Sequence, residues 1–188
     1  MKFLAAVLLL CALNAGADER VTVCFNYGCL TQADVIYSDA QLRVLGMLLG
    51  GARDAAEERQ AISVGVGLML GWAGQQTAIS ADRGGNYADD GVHGKMDCID
   101  HSKTTTRLLQ LIEKQGLLHY HRVLDRVLRS RFLVFEHYSA QIEETGSLAK
   151  GGEASRYVVD SWFVDNGQPA VVMPLARWLR GEGPNVGQ

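Results

Sequence analysis

Three residues that could form a catalytic relay follow one another along the second half of the chain. Cys98 lies in MDCIDHSK, His137 in FLVFEHYSAQ and Asp160 in YVVDSWFV. In such a relay the histidine takes the proton of the thiol, and the carboxylate orients the imidazole and stabilises its cation. The residue types therefore predict nucleophilic catalysis by Cys98, with His137 as the base and Asp160 as its orienting partner.

The first residues predict export. Lys2 is followed by an apolar run at residues 3–12 and by a small-x-small cleavage pattern at residues 15–17, so residues 1–17 are predicted to be a signal peptide. The apolar run is shorter than the roughly 20 residues that a membrane span needs. Residues 18–188 are then expected to form one domain of a periplasmic or secreted protein with no stable membrane insertion.

The charge balance narrows the possible partners. The chain has 18 Lys and Arg residues and 21 Asp and Glu residues, which gives a formal net charge of −3 at pH 7. No block of basic residues stands out, so the sequence carries neither a nucleic-acid footprint nor a polybasic membrane patch. Neither nucleic acid nor a membrane surface is therefore an expected partner.

Cysteine pairing leaves Cys98 alone. Cys24 and Cys29 are five residues apart in CFNYGC, where Gly28 allows a tight bend, and we predict a disulfide between them after export. The unpaired cysteine of an exported chain is a buried packing residue, an intermolecular disulfide partner or a reactive thiol. The surroundings of Cys98 have to decide between these three.

The elements that would position the relay form an α+β pattern. Helices are predicted at residues 38–49, with Ser38 as the cap, and at residues 52–71, whose second half is apolar on all sides. A polar, Gly-rich loop at residues 74–95 leads to the cysteine segment. Four strands and a short closing helix follow, at residues 119–124, 131–144, 156–164, 169–174 and 175–181. Helices that precede a mostly antiparallel sheet indicate an α+β fold.

Each relay residue has a predicted place in these elements. Asp97 is placed to cap the helix that Cys98 begins, where backbone N–H groups and the helix dipole favour a thiolate. At helical spacing Cys98 heads the core-facing stripe, whereas Asp100 points towards solvent. Both aspartates oppose a thiolate, so a functional one needs a cation beside it. His137 on one strand would provide that cation and would also satisfy Asp160 on the next strand.

This order of residues resembles the transglutaminase-like branch of papain-fold cysteine enzymes, and especially the bacterial transglutaminase-like cysteine proteinases. In that branch the nucleophile stands in a Gly-Asp-Cys-x-Asp-Tyr context, which MDCIDH matches at Asp97, Cys98 and Asp100. The segment departs from that context at Met96 and His101. The segments EHYSAQIE and RYVVDSW resemble the histidine and aspartate segments of the family. The similarity therefore extends from about Asp97, in the cysteine segment, to Trp162, at the end of the aspartate segment.

The resemblance implies a papain-like fold and an exported cysteine hydrolase or acyltransferase that acts on a peptide or carboxamide bond without a cofactor. The backbone N–H of Cys98 would help to hold the oxyanion, and His137 would pass the proton to the departing amine. An oxyanion side chain could come from Gln75, Gln76 or Asn86. Peptides, including cell-wall peptides, are the expected acyl donors of such an exported enzyme.

Each relay residue also has a non-catalytic interpretation. Cys98 could fill space in the core, His137 could be a strand histidine that binds a carbonyl, and Asp160 could cap a turn. The chain would then be a non-catalytic exported binding or scaffold module of the same fold. The relay is favoured because the unpaired cysteine, the predicted helix start and the two predicted strands all fit one catalytic arrangement.

A metal-dependent hydrolase is the other alternative. His101 shares a helical face with Cys98, and His119 and His121 share a strand face. Together with Cys98 or Asp100 they could build a mixed metal site. The spacing matches no standard metal-binding pattern, so the relay is the preferred hypothesis.

Overall fold

The computed structural model describes residues 18–85, 87–131, 135–146 and 151–184, and it confirms the predicted α+β class. The signal-peptide prediction for residues 1–17 lies outside the described residues. The strands are β1 (Glu19–Phe25), β2 (Thr31–Tyr37), β3 (His121–Arg131), β4 (Phe135–Glu144), β5 (Arg156–Asp160) and β6 (Val171–Pro174). The helices are α1 (Asp39–Gly50), α2 (Ala55–Gly74), α3 (Cys98–Lys114) and α4 (Leu175–Leu179), with short 3-10 turns at Ala78–Ala81 and Gly152–Ser155.

Helix α3 is the central element of the core. It packs against β3 and β4 of the four-stranded antiparallel sheet, whose order is β3-β4-β5-β6, and against β1 of the separate two-stranded sheet. Its buried apolar residues, Leu108, Leu109 and Ile112 among them, belong to the same core cluster as the inward faces of β1 and β2. The helix that begins at Cys98 is thereby fixed against both sheets.

Side chains cap the first two helices, and the Ser38 cap of α1 is the predicted one. The Ser38 hydroxyl accepts the N–H of Gln41, and the Gln41 side chain accepts the N–H of Ser38, which is a complete capping box. At the start of α2, the Asp54 carboxylate accepts the N–H of Glu57 at 2.8 Å. A Cβ at Gly67 would lie 2.6 Å from the carbonyl oxygen of Gln168, so this glycine permits close packing of α2. Neither α2 nor another helix in the described part of the chain is long and apolar enough to cross a membrane.

The hairpin of β1 and β2 is not among the predicted elements. Its strands pair in antiparallel register from Glu19 with Tyr37 to Phe25 with Thr31. Val21, Val23 and Phe25 are all buried, as on one face of a half-buried strand, and the disulfide-bonded Cys24 is buried on the other face. The Cys24–Cys29 segment includes the last two residues of β1 and most of the loop that joins these strands, and it lies beside the start of α3.

The predicted strand at residues 156–164 is wrong beyond Asp160, where β5 ends and the chain turns. The N–H of Gly85 donates to the carbonyl of Trp162 at 2.8 Å, and a Cβ at Gly84 would lie 2.5 Å from the backbone nitrogen of Val164. The loop before α3 therefore packs directly on this turn. Trp162 and Val164 consequently do not continue the strand face of Asp160.

Candidate active site

Cys98 is the first residue of α3, as its position after a capping residue predicts. The Asp97 carboxylate accepts the N–H of Asp100 at 2.8 Å, and the Asp100 carboxylate accepts the N–H of Asp97 at 3.2 Å. This reciprocal pair fixes the first helical turn, in which the Cys98 side chain is half-buried. The N–H groups and the dipole of the helix favour negative charge at this position.

His137 and Asp160 are in direct contact. They lie on neighbouring antiparallel strands, and Nε2 of His137 is 2.7 Å from Oδ2 of Asp160. The same carboxylate oxygen accepts the indole N–H of Trp178 at 2.9 Å, while Oδ1 accepts the backbone N–H of Trp162 at 3.3 Å. Asp160 is buried, and three donors satisfy its carboxylate, so it has the partners that its burial requires.

Cys98 lies close enough to His137 to influence the ionisation of its imidazole. Burial of His137 lowers its pKa, but hydrogen bonds to Asp160 and to Cys98 and the charges of both partners outweigh this effect and raise the pKa to about 9. Opposite charges close to an imidazole favour its cation. The structure thus pairs His137 directly with Asp160, and it places Cys98 within electrostatic range of the same imidazole.

Aromatic side chains enclose the imidazole. The ring centroid of His137 lies 5.0 Å from that of Trp162, 5.6 Å from that of Phe163 and 5.7 Å from that of Trp178. His137 is itself buried. The wall of rings limits the access of water, and contacts between charges are stronger where water is excluded.

Asp100 does not point to solvent, and this part of the sequence analysis is wrong. Its side chain is fully buried and accepts the backbone N–H of Cys29 at 2.6 Å. Asp97 accepts the N–H of Gly28 at 2.9 Å. Burial, together with the charge of Asp97, raises the pKa of Asp100 to about 6. The β1–β2 loop covers the side of α3 that the helical pattern alone assigns to solvent.

The predicted disulfide between Cys24 and Cys29 is confirmed. It closes a segment, here called the disulfide loop (residues 24–29), in which four consecutive residues from Asn26 to Cys29 have positive φ angles of 62–65°. Only one of the four is glycine, and this conformation is costly for the others. The left-handed turn aims backbone N–H groups at the carboxylates of Asp97 and Asp100, on either side of Cys98.

The predicted oxyanion side chains receive no support from the contacts. The Gln76 amide accepts the N–H of Ile36 and donates to its carbonyl, both at 2.9 Å, so it is occupied at β2. Gln75 is the C-terminal cap of α2. Asn86 lies outside the described residues. The backbone N–H groups at the start of α3 remain the donors that the described structure places at the thiol.

The histidines proposed for a metal site do not converge. Nε2 of His101 lies 2.9 Å from Asp82, and its Nδ1 lies 2.9 Å from the Ser161 hydroxyl. His121 instead binds Glu58 at 2.7 Å. Within the described ranges, the group with metal-binding spacing is Cys24, Cys29 and Asp100, but both sulfur atoms belong to the disulfide. Separate carboxylate partners therefore account for the positions of His101 and His121.

Two contributors to the site are not found by reasoning from sequence. Trp178 of α4 donates to Asp160, although its position in a short closing helix indicates only a core residue. Asp82 binds both the N–H of Met96, at 2.9 Å, and His101. It lies in a polar loop without a periodic pattern, so no local feature distinguishes it from a solvated aspartate.

Comparison with known proteins adds no relative: no protein-family model, no curated protein and no solved structure matches the chain. The geometry of Cys98, His137 and Asp160 therefore has to support the functional argument by itself.

Proposed function

We propose that the chain is a cysteine hydrolase or acyltransferase that uses Cys98, His137 and Asp160 on a peptide or carboxamide bond. One observation carries the proposal: the imidazole of His137 lies 2.7 Å from the buried carboxylate of Asp160, and Cys98, the only free cysteine among the described residues, helps to raise the pKa of the same imidazole. A packing cysteine would not need a paired imidazole. The charges also meet the requirement that a thiolate flanked by two aspartates has a cation beside it.

The arrangement suits acyl transfer. The Cys98 thiolate would attack the carbonyl carbon, and backbone N–H groups in the first turn of α3 would stabilise the oxygen anion that forms. His137, as its cation, would then protonate the departing amine, leaving a thioester on Cys98. Water or an amine would displace the thiol from this thioester, with His137 removing a proton from the acceptor, and Asp160 would keep the imidazole oriented throughout.

The transglutaminase-like resemblance belongs to this proposal, as does the papain-like form of the α+β fold. A disulfide joins Cys24 and Cys29, which is consistent with an oxidising compartment, and we place the protein in the periplasm or among secreted proteins. Peptides, including cell-wall peptides, are the acyl donors that such a location offers.

Alkylation of the native protein tests the proposal. Iodoacetamide should modify Cys98 in the folded chain faster than it modifies free cysteine at pH 7. His137→Ala should slow this labelling about tenfold or more, because Asp97 and Asp100 then lie beside the thiol without a neighbouring cation. The exposed His119, outside the site, provides the matched control, and His119→Ala should leave the rate unchanged.

The site of modification is read by mass spectrometry, with Cys98→Ser as the blank. Labelling that occurs only on unfolding would identify Cys98 as a packing residue and favour a non-catalytic module. Labelling that requires a chelator would instead favour a metal site. A native rate that His137→Ala does not change would remove the ion pair from the proposal.

A further inference from the structure

An exposed aromatic ring lies next to the proposed relay. Tyr87 is 80% exposed, yet its ring centroid lies 4.7 Å from that of Trp162, which in turn contacts His137. Partial burial raises the pKa of the Tyr87 hydroxyl. The charge of Arg129 opposes this rise, and the charges of Cys98 and Asp160 add to it. The phenol is therefore neutral at physiological pH and lies within electrostatic reach of the thiol.

Gly84 and Gly85, which precede Tyr87 in the sequence, are fixed to the turn that follows β5. The N–H of Gly84 donates to Asp165 at 3.0 Å, and the N–H of Gly85 donates to the carbonyl of Trp162. Close backbone packing at Gly84 leaves no room for a side chain. This segment therefore has a defined position relative to the aromatic wall of the site.

The backbone on the C-terminal side is fixed to the disulfide loop. The Asp89 carboxylate accepts the hydroxyl of Tyr27 and pairs with Lys95 at 3.1 Å. Tyr87 is thus held between two anchored points, Gly85 and Asp89, with its ring directed at Trp162. The exposed Tyr87 ring therefore packs on Trp162, which is itself part of the aromatic wall around His137.

We propose that Tyr87 and Trp162 form a subsite for an aromatic or large apolar side chain next to the acyl group that Cys98 attacks. The inference rests on the proposed function, because the ligand that covers the Tyr87 ring is then the acyl donor itself. Aromatic rings bind one another in offset or edge-to-face arrangements, and tyrosine offers a large face at little cost in side-chain entropy. The substrate class is therefore a peptide with an aromatic or bulky apolar residue at the acyl side or adjacent to it.

Two alkylating reagents that differ in one group test the subsite. N-methyl chloroacetamide and N-benzyl chloroacetamide both react by the same displacement, in which sulfur bonds to carbon and chloride leaves. The ratio of the benzyl rate to the methyl rate on native protein is divided by the same ratio for free cysteine. We expect about a tenfold preference for the benzyl reagent. Tyr87→Phe should retain it, and Tyr87→Ala should reduce the normalised ratio to about one.

Val92 supplies the matched control, since it is an apolar residue of the same loop that is 50% exposed. Val92→Ala should leave the normalised ratio unchanged. A native protein that labels with both reagents but shows no preference, or whose preference survives Tyr87→Ala, overturns the subsite and leaves the relay intact. If neither reagent labels Cys98 until the protein unfolds, the proposed function fails, and the subsite fails with it.

Discussion

The carboxylate of Asp160 has every partner that a buried acceptor needs. His137, the Trp178 indole and the backbone of Trp162 all donate to it, and the first two share one oxygen atom. Burial of a carboxylate is costly unless donors replace water, and one donor rarely suffices. Trp178 therefore fixes the position of the oxygen that orients the imidazole. The orientation of His137 relative to Cys98 consequently depends on α4 as well as on β4 and β5.

Replacement of Asp160 by asparagine should separate orientation from folding. The two side chains have the same shape, so we expect Asp160→Asn to fold, yet to lose about 10³- to 10⁴-fold in turnover as the imidazole loses its orienting anion.

The Asp160→Asn variant should also change the pH dependence of stability. Burial lowers the pKa of His137, but its partners raise it to about 9. The resulting stabilisation is complete below about pH 6.5 and is lost as the pH rises through about 9.

Urea unfolding at pH 6.5 and pH 9.5 measures this pH dependence, and circular dichroism checks the fold. The loss of unfolding free energy between the two pH values should be smaller in Asp160→Asn than in the wild type. Equal losses would contradict the charge pairing of His137. Unchanged turnover would remove Asp160 from the relay.

At the scale of elements, the start of α3 could be predicted from the sequence, but the hairpin loop that packs over it could not. Asp97, Cys98 and the apolar spacing define a capped helix from local chemistry alone, and the positions of His137 and Asp160 follow from strand patterns. The burial of Asp100 depends instead on a hairpin some 70 residues earlier in the chain, which no local pattern reveals. The end of β5 likewise depends on contacts with Gly84 and Gly85 of a distant loop.

Removal of the disulfide should therefore affect the nucleophile as well as stability. Without it, the left-handed turn of residues 26–29 loses its covalent closure, which weakens the N–H bonds that offset the charges of Asp97 and Asp100. We expect Cys24→Ala/Cys29→Ala to lower the free energy of unfolding by on the order of 2 kcal/mol. Alkylation of Cys98 in the native variant should also be slower than in the wild type.

A matched change in the middle of the hairpin isolates the local effect. The Thr22 hydroxyl donates to Asp34 at 2.7 Å, away from the disulfide loop. Thr22→Ala should weaken the hairpin without slowing the alkylation of Cys98. If the double cysteine variant labels as fast as the wild type, the disulfide loop stabilises the fold only and does not tune the thiol.

In the whole molecule, a second buried carboxylate holds the four-stranded sheet against the helices. Glu58 of α2, fully buried, accepts the N–H groups of His119 and Tyr120 and binds the His121 imidazole at 2.7 Å. Its neighbour Arg59 pairs with Glu144 at 2.8 Å. This cluster joins the start of α2 to the first residue of β3 and the last of β4. It uses the same chemistry as the relay, a buried carboxylate with a histidine, but it includes no nucleophile.

Glu58→Gln should therefore lower stability while leaving the chemistry of Cys98 unchanged. Burial raises the pKa of Glu58. The hydrogen bonds from His121 and from the two backbone N–H groups together lower it by more than burial raises it, so the pKa lies below the usual 4.5. The stabilisation by the charged carboxylate is present above about pH 4.5 and is lost as the pH falls. We expect a loss on the order of 3 kcal/mol in the free energy of unfolding at pH 7, because the variant leaves a buried histidine without its anion.

Urea unfolding measures this loss, and Glu57→Gln provides the control, because Glu57 pairs with Arg53 on the surface and should contribute much less. The difference between wild type and Glu58→Gln should also shrink as the pH is lowered below 4.5. At temperatures where the variant is folded, its Cys98 should alkylate at the wild-type rate, since Glu58 has no contact with the relay among its hydrogen-bond partners. A folded Glu58→Gln variant with slow alkylation would show that the position of the whole sheet, rather than the local contacts of His137, sets the reactivity of the thiol.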